Sequence, residues 1–186
     1  AKAPLIAMLL AASEFPKQNG TIIFAGVVDE EGNATGSKHL VKNNLEIDYA
    51  IFGEPSGIEN ITVSYKGRLA LKLICDVLDS AHASAPWLAK NSIEEVYNLW
   101  NEIKNALNKN YEKAKRSNSV SCCLTEIVGG SSHNVTPQKC KITMDIRIPN
   151  GTTCQQVFDS IKSLIAKTSK ENGIKTNFII EDFTEP

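Results

Sequence analysis

The sequence has no excess of positive charge. Its 20 Lys and Arg stand against 21 Asp and Glu, a formal net charge of -1. That balance argues against binding nucleic acid or a membrane surface, which calls for a basic patch. No apolar run reaches the roughly 20 residues of a membrane-spanning helix. The longest candidate, "PLIAMLLAA", is too short. It follows a single lysine and no initiator Met, so it is not read as a signal peptide. C-x-x-C spacing is absent too. Cys75, Cys122, Cys123, Cys140 and Cys154 are odd in number and cannot form a complete disulfide set. Most sit in apolar stretches, so they are expected to be buried thiols of a reducing, cytoplasmic compartment. There is no internal repeat and no low-complexity tract.

What is present reads as two α/β patterns. "APLIAMLLAA" suits a mostly buried helix. "TIIFAGVV" (21–28) and "IDYAIFG" (47–53) are continuous apolar runs, as expected of parallel strands covered on both faces. A short helix in "ATGSKHLVKN" between them completes a βαβ unit, whose post-strand loops are where open α/β sheets place ligands. From about residue 60 the pattern changes. Leu69, Leu71, Leu73, Cys75 and Val77 alternate, as do Cys140, Ile142, Met144, Ile146 and Ile148. Alternation predicts strands with one buried face. Residues 120–128 and "TNFIIEDF" supply two more strands.

Ile93, Val96, Trp100, Ile103, Leu107 and Tyr111 recur at helical spacing, with Ser92 and Glu95 as a capping box. A second helix carries Val157, Ile161, Leu164 and Ile165, with Thr152 and Gln155 as its box and Asn172-Gly173 as its stop. The order β-α-β-β-α-β is the ferredoxin-like arrangement. The fold class is therefore α/β: a βαβ unit over residues 1–66, then a ferredoxin-like domain over 67–183.

The chemistry-bearing candidates begin with Glu30 and Glu31 in "VVDEEG". Near a strand end, successive side chains diverge. One carboxylate can then bind a cation while its neighbour faces a water on that cation. The plain alternative is a solvated acidic turn ending in Gly32. Glu54 follows the second apolar run of the same unit, and three acids at neighbouring strand ends repel unless a cation lies between them. Its alternative is a glutamate before a proline turn. His82, in "DSAHASAP", is either catalytic or an exposed structural histidine. His39 and His133 are weaker candidates. Asn134 sits in a tight connection, and Arg147 shares a strand face with Asp145. Arg147 suits a substrate carboxylate, against the alternative of an ordinary surface ion pair.

Taken in order, "AKAPLIAML", "VVDEEG", "DYAIFGEPSG", "SAHASAP", "GGSSHNVTP" and "MDIRIP" resemble a co-catalytic metallohydrolase superfamily. It contains acetylornithine deacetylase, succinyl-diaminopimelate desuccinylase, aminoacylase and carboxypeptidase G. "GEPSG", "SYKGRL", "SAH" and "DIRIP" are most similar to one branch, the hydrolase that frees lysine or ornithine from an amino-group carrier protein, also described as acetyl-lysine deacetylase.

The resemblance implies two Zn2+ (or Co2+) ions with Glu31 and Glu54 as one ligand each, and Glu30 as general base. It implies that His82 crosses a homodimer interface to steady an oxyanion, and that Asn134 and Arg147 contact substrate. The resemblance implies that the ferredoxin-like part is the family's lid, or dimerisation, domain, inserted into a partial catalytic domain (1–66) toward which residues 184–186 return. The implied substrate is a small N-acyl amino acid or a carrier-linked lysine or ornithine. The family's bridging Asp, an upstream His and a later His are not among these residues, and Ala3 replaces a family glycine. On this reading the chain is the middle of a longer enzyme. A carboxypeptidase or aminopeptidase of the same superfamily is a second enzymatic reading. A non-catalytic dimerisation or binding module is the alternative for the chain as it stands.

Overall fold

A computed structural model describes residues 2–16, 20–32, 34–54, 57 and 59–186. Ala1 of the first family-like stretch and Pro55 and Ser56 of "GEPSG" lie outside the described residues. The chain divides into two compact units, Ala1–Thr62 and Val63–Pro186.

The first unit contains helices α1 (Lys2–Glu14) and α2 (Thr35–Lys42). Two expectations need correction here. The apolar runs 21–28 and 47–53 are not strands: they form no β-ladder among the described residues. An all-apolar run encodes a demand for cover on both faces. A strand also needs a neighbour's N–H and C=O groups, and no described segment supplies them. Helix α1, expected to be mostly buried, buries no residue, and Leu5, Ile6, Leu9 and Leu10 stay 45–59% exposed. The helix still touches both runs. A Cβ added at Gly26 would lie 3.8 Å from Leu5 Cδ1, and one added at Gly53 would meet Met8 Sδ at 2.5 Å. A side chain at Gly53 would require Met8 to move aside.

The second unit is a four-stranded antiparallel sheet with two helices on one face. Its elements are β1 (Gly67–Asp76), α3 (Ser92–Tyr111), β2 (Ser121–Gly129), β3 (Lys139–Ile148), α4 (Cys154–Asn172) and β4 (Lys175–Thr184). The strand order is β2-β3-β1-β4, and the chain order matches the expected β-α-β-β-α-β. Alternation works as it should. Leu69, Leu71, Leu73 and Cys75 of β1 join Cys140, Ile142, Met144, Ile146 and Ile148 of β3 in one core with Val96, Leu99, Trp100, Ile103 and Leu107 of α3. Val157, Ile161 and Ile165 close it from α4. Each fully buried aliphatic side chain contributes about 1.5–3 kcal/mol relative to an exposed one.

The helix starts sit one residue away from the expected boxes. Asn91, not Ser92, caps α3, its side chain accepting from the Ile93 N–H at 3.0 Å. Ser92 is instead drawn inward as its N–H donates to the Pro137 carbonyl at 3.0 Å, which leaves Glu95 to pair with Lys90 at 2.8 Å. Thr153 and Gln156, not Thr152 and Gln155, form the box of α4, each side chain satisfying the other's backbone N–H. Gly173, at φ 60°, ends α4 in the left-handed region as Asn172-Gly173 predicts.

The two ends of the unit meet. Arg68 pairs with Thr184, and a Cβ on Gly67 would come within 2.6 Å of both the Thr184 carbonyl and the Pro186 nitrogen. The start of β1 therefore lies beside the end of β4. Among the described residues no helix is long and apolar enough to cross a membrane.

Candidate functional site

Glu30 and Glu31 occupy a turn at the end of the first extended run. The Gly32 N–H donates to the Asp29 carbonyl at 3.4 Å and the Ala34 N–H to the same oxygen at 2.7 Å. Asp29 takes a left-handed φ of 59°, which Asp tolerates better than most residues. Its carboxylate accepts from the Thr35 hydroxyl at 3.0 Å, which ties the turn to the start of α2. The Gly36 N–H also reaches the Val28 carbonyl at 3.2 Å, and a side chain at Gly36 would collide with that peptide. The turn expected as the plain alternative is thus present, and it fixes where the two exposed glutamates start. Glu54 is exposed directly after Gly53, the residue pressed against α1. Both acidic loops therefore follow segments that rest on one helix.

Carboxylate oxygens are suitable donors for Zn2+ or Co2+. Among the described residues, however, no three His, Cys, Asp or Glu side chains converge as a metal cluster. By themselves these residues do not fit a dinuclear centre.

In the second unit, His82 and Asn134 come together. His82 forms an isolated antiparallel bridge with Val135. The Ala83 N–H donates to the Asn134 carbonyl, and the Thr136 N–H to the Ala81 carbonyl, both at 2.8 Å. The buried Thr136 hydroxyl accepts from the Ala81 N–H at 2.8 Å and pins the pair of loops. His82 Nδ1 accepts from the Ser84 N–H at 3.2 Å and lies 2.8 Å from its hydroxyl. A ring nitrogen that accepts carries no proton, so the neutral ring holds its proton on Nε2. Asn134 Oδ1 accepts from the Ser132 hydroxyl at 2.7 Å. Both side chains have their acceptor atom engaged within the loop, which leaves donors for a negatively charged oxygen.

Arg147 lies elsewhere. It stands near the far end of β3, eight residues beyond Lys139, roughly 26 Å along the strand. It donates through Nε to Asp145 Oδ1 at 2.6 Å and through Nη2 to Oδ2 at 3.4 Å. Arg68, directly opposite in register, donates through Nε to the same Asp145 Oδ2 at 2.7 Å and through Nη1 to Asp182 at 3.1 Å. Burial pushes the Asp145 carboxyl up, but hydrogen bonds from Arg68 and Arg147 outweigh it and hold it below the usual carboxylate range. The Asp145–Arg147 pair is legible in the sequence. Arg68 and Asp182 are not, because only the strand register brings them to it; the one signal is that Arg68 falls out of phase with the buried Leu69.

The thiols divide by position. Cys75, Cys140 and Cys154 are buried, Cys122 is half-buried, and Cys123 is exposed on the edge strand, contrary to the expectation of burial. Alternation places Cys122 on the core side of β2 and therefore turns Cys123 outward. Burial pushes the Cys75 and Cys122 thiols up to about 12, and burial with the nearby Glu185 carboxylate pushes Cys154 to about 11. Thiolate is the reactive form. Iodoacetamide at mildly alkaline pH is therefore expected to label Cys123 first in the native chain, read by peptide mass spectrometry. Equal or faster labelling of Cys75 or Cys154 would contradict this burial pattern.

Residues 65–173 match the peptidase dimerisation domain family. A LysW-lysine/LysW-ornithine hydrolase of Saccharolobus solfataricus is 33% identical over 147 residues, 79% of this chain and 40% of that relative. A succinyl-diaminopimelate desuccinylase of Ehrlichia chaffeensis is 30% identical over 196 residues, 98% of this chain and 50% of that relative. The chain thus spans about half the length, or less, of these curated relatives. An amidase of the hydantoinase/carbamoylase family from Burkholderia phymatum superposes with a TM-score of 0.57 at 14% identity, covering 65% of this chain and 29% of its own. At that identity the likeness speaks to the fold alone. The match covers more than half of the 186 residues, and the chain belongs to the M20 peptidase dimerisation domain family.

Proposed function

We propose that the whole protein hydrolyses the amide bond of an N-acylated or carrier-linked lysine or ornithine, working as a homodimer. Glu30 takes the proton of the attacking water and returns it to the leaving amine. His82 Nε2–H and the Asn134 amide donate to the developing oxyanion. Arg147 receives the carboxylate of the amino acid. Glu31 and Glu54 would each offer one carboxylate to a Zn2+ or Co2+ ion, which would supply Lewis-acid activation of the water; these two residues alone do not complete such a centre. The names of the curated relatives support amide hydrolysis in amino-acid biosynthesis.

One observation carries the dimeric reading: His82 and Arg147 lie at opposite ends of the same sheet. A single small substrate cannot touch both within one chain. Antiparallel pairing of two edge strands about a two-fold axis sets the His82 end of one sheet beside the Arg147 end of the other.

The two edges of the sheet are not equivalent. Both edge strands break register against their neighbours, but β4 carries three charges, Lys175, Glu181 and Asp182. Charged side chains on an edge discourage pairing. β2 carries one charge, Glu126, and exposes Ile127 and Val128. Its lower charge favours β2 over β4 as the pairing edge. The Ile127→Lys/Val128→Lys double variant is expected to sediment as a monomer at a concentration where the unsubstituted chain is dimeric. A dimer that survives both lysines removes β2 from the interface. Release of free lysine or ornithine by the whole protein from N-acyl and carrier-linked substrates tests the activity, and no release from either class would refute it.

A further inference from the structure

We propose that Asp145 is a positioning residue: held by Arg68, which Asp182 braces in turn, it occupies one edge of the Arg147 guanidinium and aims the other edge at the substrate carboxylate. The inference rests on the reading above that Arg147 meets that carboxylate. A guanidinium offers two bidentate edges, one through Nε and Nη2 and one through the two Nη nitrogens. Asp145 takes the first, at 2.6 and 3.4 Å. The second is left for a planar anion approaching end-on.

Shelter separates the two roles. The Asp145 side chain is 16% exposed, while that of Arg147 is 49% exposed. The carboxylate sits back on the sheet and the guanidinium reaches out from it. Asp145 is itself fixed from the other side. Arg68 Nε donates to its Oδ2 at 2.7 Å, and Arg68 Nη1 reaches Asp182 at 3.1 Å. Asp182 in turn accepts from the Thr184 hydroxyl at 2.7 Å. The chain of contacts crosses β3, β1 and β4 at the sheet end where β1 begins and β4 ends. Two cations face two anions in it, so there is no surplus positive charge to draw in any anion. Selectivity must then come from orientation, which is what a held guanidinium supplies.

The test compares an N-acyl amino acid with its carboxamide in the whole protein. Arg147→Ala is expected to raise KM for the acid much more than for the carboxamide, whose neutral carbonyl accepts a weaker hydrogen bond. Asp145→Asn is expected to raise KM for the acid about tenfold, the effect of a lost charged hydrogen bond. It should leave kcat for the acid, and both constants for the carboxamide, within about twofold. If Arg147→Ala does not separate acid from carboxamide, the role of Arg147 fails and Asp145 falls with it. If Arg147→Ala separates them and Asp145→Asn does not, the positioning role alone is overturned. Equal losses on both substrates after Asp145→Asn would mark a merely structural residue and also overturn it. Should Asp145→Asn fold poorly, Arg68→Gln provides the second arm, with a smaller rise in KM confined to the acid. No such rise would overturn the proposal.

Discussion

Replacing Glu30 by glutamine in the whole protein is expected to lower turnover by about 10²–10⁴-fold, the contribution typical of a positioned general base. Metal content and dimerisation should stay as they were. The substitution keeps the shape of the side chain and its place in the turn built on Asp29 and Gly32. It removes only the proton-accepting carboxylate. Glu31→Gln is expected to behave differently, losing activity together with bound metal. The contrast between neighbouring residues distinguishes a base from a ligand, which a simple loss of activity does not. Survival of Glu30→Gln activity to within about tenfold would remove Glu30 from the base role.

The second large effect concerns stability. Leu71 lies on a central strand, 1% exposed, and faces Met144 of β3 across the ladder. Leu71→Ala deletes buried methyl groups from the middle of the core, where relaxation is most restricted. It is expected to cost about 2–5 kcal/mol, measured as a shift in the urea midpoint with an unchanged slope. Ile179→Ala provides the comparison. Ile179 stands on edge strand β4 and is 48% exposed, so its loss should stay below about 1 kcal/mol. A Leu71→Ala cost no larger than that of Ile179→Ala would mean that β1 and β3 do not form the centre of the core.

The ferredoxin-like unit was legible because two independent periods agree in it. Cys140, Ile142, Met144, Ile146 and Ile148 repeat every second residue, and all are buried. Val96, Trp100, Ile103 and Leu107 repeat at helical spacing, and all face the same core. Leu99 completes that stripe and is the core residue the spacing omitted. Both caps sit one residue from the expected position, and for α3 the reason is tertiary. Ser92 satisfies the local rule for a cap, but its docking onto Pro137 places it inside the helix and hands the cap to Asn91. Local propensity does not know about that contact.

The first unit was legible only in part. "ATGSKHLVKN" does contain a helix, Thr35–Lys42. The runs 21–28 and 47–53 state how apolar a strand would be without stating which backbone would pair with it. Among the described residues nothing does, and Ile51 and Phe52 are 85% and 77% exposed. For the candidate site, the sequence shows the residue types and their order. The structure adds that His82 and Asn134 share one loop pair while Arg147 stands at the opposite end of the sheet. It also adds that Arg68 and Asp182 stand behind Arg147 through Asp145. No spacing rule connects residue 68 to residue 182.

Anomalous scattering at the zinc edge from crystals of the whole protein tests most directly whether these acids serve a metal centre. Two peaks are predicted, with a Glu31 carboxylate oxygen at one and a Glu54 carboxylate oxygen at the other, each at bonding distance. Zinc-loaded crystals in which both side chains point into solvent, with any bound metal held by other residues, would contradict it.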